Sequence, residues 1–296
     1  MRDAMPTVRS PSRVDEVCRT IGSGVSLCRF ECPPDAQAWS GESRTGEAYL
    51  AVFPTLPVAI RHAGRGEVIA DRTKVMLYNP GQVYRRRRIT SQGDACSVLV
   101  IGRTLADEIA GDISAEHTDH EARLFDRDHA PCPTALFAAH RGLVSSGMLG
   151  DDLALDESLV GFAHALLRHT LGEGHRRSED TLRRAHLDLA HAACEILARE
   201  VGIDLCLNDL ADALDVSPFH LCRVFARATG TTIARHRNAL RVRAGADLLR
   251  DERLTIARVA TELGFSSHAH FTSAFRGVIG MTPSAYRSYL GVRARS

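Results

Sequence analysis

The period at which hydrophobic positions recur changes along the chain, and the changes divide it into three regions. From about residue 20 to 110, short apolar runs alternate with segments rich in Gly, Pro, Asn and Asp, a pattern typical of β-strands joined by turns. The runs that carry this pattern are VSLCRFEC, EAYLAVF, PVAIRH, KVMLYN and ACSVLVI. Their spacing predicts an antiparallel sandwich or barrel, which we place at residues 20–115.

The second region, from about residue 134 to 174, has apolar residues three and four positions apart. The segments ALFAAHRGLVSSGM and LALDESLVGFAHALLRHTLG are therefore predicted to form amphipathic helices. We assign residues 116–177 to a helical linker or dimerisation region. The polar stretch GEGHRRSED, which begins with Gly172 and Gly174, is predicted to be the linker itself.

The third region, residues 178–292, has the helical period almost throughout. It begins with the long amphipathic segment LRRAHLDLAHAACEILARE, and about six shorter helices are predicted to follow, ending near Leu290. Thr255 and Ser217 are expected to cap two of these helices, the latter because Pro218 follows at the first helical position. This domain is predicted to be all-α, and the fold class of the chain is α+β.

An internal repeat lies within the third region. The segment FHLCRVF, from Phe219, has the same apolar frame as HFTSAF, which ends at Phe275. At an offset of 49 the matching residues are Leu210, Ala211, Leu214, Val216 and Ser217 with Val259, Ala260, Leu263, Phe265 and Ser266. At an offset of 50 they are His220, Leu221, Phe225 and Gly230 with His270, Phe271, Phe275 and Gly280. Each copy predicts a helix-turn-helix, whose second helix enters the DNA major groove, and the second copy has one extra residue in its turn.

Three segments carry a resemblance to a known family: LNDLADALDVSPFHLCRVFARATG, LRVRAGADLLRD and IARVATELGFSSHAHFTSAFRGVIGMTPSAYR. Together they resemble the DNA-binding domain of the AraC/XylS family of bacterial transcription regulators, over roughly Thr181 to Leu290. The resemblance implies two recognition helices in successive major-groove segments, joined by a connecting helix over about Thr232 to Leu249. The N-terminal strands resemble the cupin-like sensory domain of that family only in outline.

The resemblance also gives candidate DNA contacts, matched by position. The groove-facing candidates are Phe219, His220, Cys222 and Arg223 in the first recognition helix, and His268, Ala269, Thr272 and Ser273 in the second. The candidates for phosphate contact are Arg227, Arg241 and Arg276. Arg223 is the leading candidate for base contact, since a guanidinium can donate two hydrogen bonds to guanine. Leu221, Val224, Phe225, Phe271 and Phe275 are expected in the core.

Three positions depart from the family pattern. Ser273 stands where the family often has a basic residue, which predicts a weaker grip on DNA by the second helix. His236 stands where an aromatic residue is usual. Gly245 replaces a small helix former inside the connecting helix, at a cost of about 1 kcal/mol.

The positive charge of the chain is concentrated at its C-terminal end. The net charge of the whole chain is only +1, but from Leu205 onward there are 13 arginines against seven acidic residues, a balance of +6. An excess of arginine confined to the C-terminal third is expected if that end alone meets a polyanion.

Other candidate chemistry is weaker. The spacing of His117, His120, His129 and Cys132 resembles a zinc site, but the segment is strongly charged and we expect no metal there. The eight cysteines are expected to be free thiols, because nothing indicates export. The run YRRRR is expected either to be solvated or to meet an anionic effector or partner. Since the chain has no nucleotide-binding, metal-enzyme or nucleophile motif, we predict no cofactor and no enzymatic activity.

The sequence therefore predicts a sequence-specific transcription regulator, more often an activator than a repressor in such a family. Its expected partners are double-stranded promoter DNA, a second copy of the chain through the middle helices, RNA polymerase and a small-molecule effector. A cytoplasmic protein without membrane contact is expected, because no apolar segment is long enough to span a bilayer. Two alternatives stay open: an N-terminal enzyme tethered to DNA, and an N-terminal domain that only oligomerises.

Overall fold

In the computed structural model the described residues are 15–20, 24–36, 39, 41–113, 124–146, 152–172, 184–203 and 205–290. The chain forms two compact units, Met1–Arg176 and Arg177–Ser296. None of the helices in these ranges is long and apolar enough to cross a membrane.

The first unit contains two antiparallel β-sheets, built from ten strands within the described ranges. The strands are β1 (Asp15–Thr20), β2 (Val25–Cys32), β3 (Glu42–Arg44), β4 (Tyr49–Pro54), β5 (Val58–His62), β6 (Glu67–Ala70), β7 (Lys74–Tyr78), β8 (Val83–Arg88), β9 (Asp94–Ile101) and β10 (His129–Pro131). One sheet has the order β1-β2-β9-β4-β7-β10, and the other has the order β3-β8-β5-β6.

The two sheets pack face to face. Side chains alternate between the two faces of each strand, so every second residue of a strand points between the sheets. Leu50, Met76 and Tyr78 from the six-stranded sheet form one buried cluster with Val58 and Ile60 from the four-stranded sheet. The first unit is therefore built on a β-sandwich, as the hydrophobic pattern predicts.

The five predicted strands correspond to β2, β4, β5, β7 and β9. The pattern misses β3, β6 and β10, because three or four residues are too few to show an alternation. It also misses β1, whose sequence DEVCRT is mostly polar, and β8, whose sequence VYRRRR is mostly charged. The expectation of strands up to about residue 110 is wrong at its end, where helix α1 (Arg103–Ile113) begins directly after β9.

Two further helices, α2 (Thr134–Ser146) and α3 (Asp152–Gly172), complete the first unit. The ring of Phe53, on the outer face of β4, stacks on His140 of α2 with 4.1 Å between the ring centroids, and Phe162 of α3 lies 5.7 Å away. Leu159 and Leu166 of α3 are fully buried. The middle helices therefore bury an apolar face within their own unit, and dimerisation through their remaining surface stays a prediction.

The run YRRRR lies in β8, and its arginines differ in exposure. Arg85 and Arg87 are exposed and pair with Glu42 at 3.0 Å and Glu67 at 2.7 Å. Arg86 is the one arginine of the run that is buried, at 8% exposure. The run is expected either to be solvated or to meet an anionic effector or partner. The exposed arginines fit the first expectation. Arg86 points between the sheets and is the one placed for the second.

Cysteine pairing corrects one expectation. Cys28 is disulfide-bonded, so the prediction of free thiols is wrong for this residue. In the register of β1 and β2, the residue opposite Cys28 is Cys18. The free cysteines among the described residues are Cys32, Cys96, Cys132, Cys194, Cys206 and Cys222.

Of the four residues with zinc-like spacing, the structure describes His129 and Cys132. His117 and His120 lie outside the described residues. His129 Nδ1 lies 2.7 Å from the Asp128 carboxylate, and Cys132 is buried. These two residues have separate local roles, since His129 is hydrogen-bonded to Asp128 and Cys132 lies in the core.

The second unit consists of helices within the described ranges. They are α4 (Arg184–Arg199), α5 (Leu207–Asp212), α6 (Pro218–Thr229), α7 (Ile233–Leu248), α8 (Ile256–Glu262), α9 (His268–Ile279) and α10 (Pro283–Tyr289). Helix α7 contacts α4, α6, α8 and α9. Its 16 residues span about 24 Å. It therefore joins the pair α5 and α6 to the pair α8 and α9, as the connecting helix predicted between residues 232 and 249.

Candidate nucleic-acid interface

The turns of the two helix pairs have the same geometry. The backbone N–H of Val216 donates to the Ala211 carbonyl at 3.1 Å, and that of Phe265 donates to the Ala260 carbonyl at 3.0 Å. The middle residue of each turn has a positive φ, which is 53° at Asp215 and 68° at the equivalent glycine. Residues that match at an offset of 49 in the sequence thus occupy equivalent positions in two turns of the same geometry.

The extra residue of the second turn lies directly before the cap of α9. The Ser217 hydroxyl accepts a hydrogen bond from the His220 N–H at 3.2 Å and caps α6. Helix α9 is capped by Ser267, whose hydroxyl accepts from the His270 N–H at 3.0 Å. The match of Ser217 with Ser266 is therefore wrong by one residue. Both serines satisfy N–H groups that a helix N-terminus otherwise leaves without partners.

The repeat also continues beyond Gly230 and Gly280, where the sequence comparison stops. Both glycines end their helices with a positive φ. Six residues after the first, His236 lies edge-to-face against Phe225 at 5.5 Å, and six residues after the second, Tyr286 lies in the same way against Phe275 at 5.4 Å. His236 therefore takes the place of the usual aromatic residue by packing as one.

The apolar frame of both recognition helices, α6 and α9, is buried as predicted. The buried residues are Leu221, Val224, Phe225, Phe271 and Phe275, and none is more than 3% exposed. Phe219 lies outside this frame and is 78% exposed. A phenyl ring in water is unfavourable, so this position favours a binding surface.

Most of the predicted DNA contacts lie on the exposed faces of α6 and α9. The exposed residues are Phe219, Cys222, Arg223 and Arg227 of α6, and His268, Ala269, Ser273 and Arg276 of α9. Arg223 and Arg276 have no ion pair in the part of the chain that the structure describes. The guanidinium groups of these two residues are thus available to an external anion.

Arg241 does not belong to this surface. It is 5% exposed, and its Nε, Nη1 and Nη2 atoms donate to the carbonyl oxygens of Val201, Gly264 and Ile203 at 3.0, 3.1 and 2.7 Å. Because its guanidinium donates to three backbone carbonyls, Arg241 ties the loop before α5 to the turn between α8 and α9. The expectation that Arg241 contacts phosphate is therefore corrected to a structural role.

Two other candidates lie only partly at the surface. The hydroxyl oxygen of Thr272 is buried and makes no hydrogen bond to the described residues. The ring of His220 is half-buried and lies 5.7 Å from the ring of His186 on α4. The hydroxyl of Thr272 is therefore not presented to DNA, and His220 is held by its neighbour.

Sequence reasoning missed a second structural arginine. Arg287 on α10 is 5% exposed and donates to the carbonyl oxygens of Leu249 and Leu254 at 3.2 and 2.7 Å. Fifty residues earlier, Arg237 donates to the Ile203 carbonyl at 2.9 Å. In each helix-turn-helix pair an arginine thus holds the segment that precedes the first helix of the pair, which is α5 or α8. The shared offset of 50 is the signal that could have found this pair.

Two tandem helix-turn-helix units with exposed polar faces are an arrangement typical of DNA-binding domains. Residues 210–289 match the family model described as a helix-turn-helix domain. The Msm operon regulatory protein of Streptococcus mutans is 30% identical over 93 residues, which are 31% of this chain and 34% of that protein. The transcriptional regulator GlxA of Rhizobium meliloti is 37% identical over 82 residues, which are 28% of this chain and 25% of that protein.

Among solved structures, ToxT from Vibrio cholerae aligns with 91% of this chain and 99% of its own, at 13% identity and a TM-score of 0.34. The matched segment spans about a third or less of the two curated relatives. Within this segment the second unit is therefore similar to the helix-turn-helix domains of these regulatory proteins.

Proposed function

We propose that the chain binds promoter DNA sequence-specifically through both recognition helices and changes transcription in response to a signal received by its first unit. The observation that carries this proposal is the doubled unit itself. Its apolar frame is buried in both copies, whereas different polar and basic residues occupy the outer face of each. A shared frame with different outer residues suits a protein that reads two different stretches of one duplex.

The exposed residues divide by chemistry into base and phosphate contacts. Arg223 is our candidate for guanine, and the exposed ring of Phe219 suits a thymine methyl group. Cys222, His268, Ala269 and Ser273 complete the proposed base-facing set. Arg227 and Arg276, each in the last turn of its recognition helix, are the proposed phosphate contacts. Phosphate contacts of this kind make the affinity fall steeply as salt rises.

The first unit is proposed to act as the sensor. A sandwich with a buried arginine between its sheets supports binding of a small effector, and the family resemblance favours activation, a homodimer and contact with RNA polymerase. Regulation then requires two states of the protein that differ in affinity for DNA, with the effector favouring one of them.

Arg223 provides the direct test. A binding site is first selected from randomised duplexes with the full chain, and shift assays then compare variants on the selected and on unrelated DNA. Arg223→Ala is expected to weaken binding to the selected site by about 1–3 kcal/mol, roughly fivefold to 150-fold, while binding to unrelated DNA changes little.

Arg253→Ala is the matched control, because Arg253 is also exposed and lies in the loop between α7 and α8, paired with Asp251 at 2.9 Å. It is expected to bind both duplexes as the parent protein does. If Arg223→Ala keeps full preference for the selected site while remaining folded by circular dichroism, the assigned base contact is wrong.

A further inference from the structure

The interior of the sandwich encloses a cavity that is mostly apolar. Its walls include Leu50, Val52, Met76 and Val98 from the six-stranded sheet and Ile60 from the four-stranded sheet. The space open to the centres of water-sized atoms is about 70 Å³. This corresponds to roughly five to seven waters, so the cavity suits a small compound.

Among the described residues that line this cavity, Arg86 is the one with a permanent positive charge. Its guanidinium carbon lies 5.0 Å from the ring centroid of Phe30 and 5.6 Å from that of Trp39. Its Nη1 atom is 3.3 Å from the Asp94 carboxylate, which is long for a hydrogen bond between charged groups. The Nε atom is buried and has no acceptor among the described residues.

A buried guanidinium with an unused N–H group calls for an oxygen acceptor. Arginine has five donors and no acceptor, and nearly all buried N–H groups in folded proteins are hydrogen-bonded. A carboxylate fits this site because it accepts two parallel hydrogen bonds from one guanidinium. The remaining wall offers an apolar surface to the rest of the ligand.

We propose that the first unit binds a short-chain monocarboxylate, with its carboxylate on Arg86 and its hydrocarbon part among the apolar residues of the cavity. This inference rests on the proposed sensory function and specifies its ligand. A polyol or sugar is disfavoured, because most of its hydroxyl groups would be buried without partners. The cavity volume of about 70 Å³ matches a short hydrocarbon chain.

Asp94 determines how charge is balanced when the ligand enters. Its carboxylate is buried, and burial raises its pKa while the charge of Arg86 opposes the rise. A second carboxylate on the same guanidinium raises it further, since like charges cannot both stay ionised in a confined site. The other titratable groups that act on this site are Tyr84 of β8, Tyr78 of β7, Cys96 of β9 and Cys32 of β2. Binding is therefore expected to take up about one proton and to become tighter as the pH falls.

The test uses the full chain and titrations with butyrate, pentanoate and hexanoate, each compared with its primary amide. Trp39 is the single tryptophan of the chain and lies beside Arg86, so its fluorescence reports binding directly. At least one carboxylate is expected to bind ten times more tightly than its amide or better. Calorimetry in two buffers of different ionisation enthalpy is expected to show the proton uptake.

Substitutions locate the binding group. Arg86→Gln is expected to lose at least tenfold in carboxylate affinity. Arg85→Gln, on the exposed side of the same strand, is expected to stay within twofold of the parent protein. Because Arg86→Gln leaves Asp94 without its partner, Arg86→Met combined with Asp94→Asn serves as a second variant that removes both charges.

The proposal is overturned if no carboxylate of the series binds at millimolar concentration, if an amide binds as tightly as its acid, or if a folded Arg86 variant binds as the parent does. Should both variants unfold, the comparison of acids with amides in the parent protein decides alone. Shift assays on the selected duplex report DNA binding separately. Failure of the ligand with DNA binding intact therefore concerns the cavity and leaves the DNA-binding function standing.

Discussion

Gly245 lies where the connecting helix α7 approaches the second helix-turn-helix unit most closely. A Cβ atom at this position would lie 2.9 Å from Leu263 Cδ1 and 3.0 Å from two ring atoms of Phe271. Both neighbours are buried, at 4% and 0% exposure. A glycine that costs helix propensity is thus explained by the space that α8 and α9 occupy.

A pair of glycine substitutions tests this explanation. Gly245→Ala is expected to lower the free energy of unfolding by about 1 kcal/mol, because overpacking outweighs the gain in helix propensity. Gly277→Ala in α9 is the control, because a Cβ atom there would have no neighbour within 4 Å. It is expected to raise stability by roughly 0.5–1 kcal/mol. Urea unfolding followed by circular dichroism measures both, and a stabilising Gly245→Ala would contradict the packing argument.

Charged single residues differ more in their roles than their sequence context indicates. Arg223 and Arg241 both lie on helices of the second unit, yet the first is exposed and the second donates to three backbone carbonyls. The pattern of the helix identifies apolar core positions, because burial of apolar surface is what the pattern records. It does not identify an arginine that is buried by hydrogen bonds to distant loops.

At the scale of elements, the two helix-turn-helix units differ in how easily they form the same turn. The first has Asp215 at the position of positive φ, where the second has Gly264. A left-handed conformation costs an ordinary L-residue about 1–2 kcal/mol and costs glycine almost nothing, with Asp among the better tolerated residues. The first turn is therefore the more strained of the two.

The caps of the recognition helices give an element-scale prediction. Ser267→Ala is expected to lower the free energy of unfolding by about 1 kcal/mol, because the hydrogen bond from the His270 N–H is lost. Ser266→Ala is the control one residue away, since the Ser266 hydroxyl contacts only the exposed His270 ring, at 3.1 Å. If Ser266→Ala proves the more destabilising of the two in urea unfolding, the cap assignment and the corrected alignment of the repeats are both wrong.

At the scale of the whole molecule, the chain is divided into two compact units, with the boundary after Arg176. The proposed DNA contacts all lie in the second unit, and the proposed ligand cavity lies in the first. This separation suits a regulator whose sensing and DNA-binding functions have separate cores, each with its own buried residues.

A fragment of residues 178–292 is accordingly expected to fold and to bind the selected duplex without the first unit. Its affinity should fall as salt rises, with a slope of about −0.9 per phosphate contact in a double-logarithmic plot. Shift assays over a range of salt concentrations measure this, and circular dichroism checks that the fragment is helical. A helical fragment that fails to bind at low salt would contradict the proposed division of function.

The sequence determined the repeated frame of the second unit, including Leu221, Phe225, Phe271 and Phe275, because their periodicity is set by the local geometry of a helix. It also determined the capping residues Ser217 and Thr255, since a cap acts on N–H groups two or three residues away. In the first unit it determined the five strands whose apolar residues form a recognisable run. These are all properties of neighbouring residues.

Only the tertiary structure decided which charged and small residues are internal. Arg86, Arg241 and Arg287 are buried because distant carboxylates or carbonyls meet them, and Gly245 is required because another helix passes close by. Such contacts join residues far apart in the chain, and no local period records them.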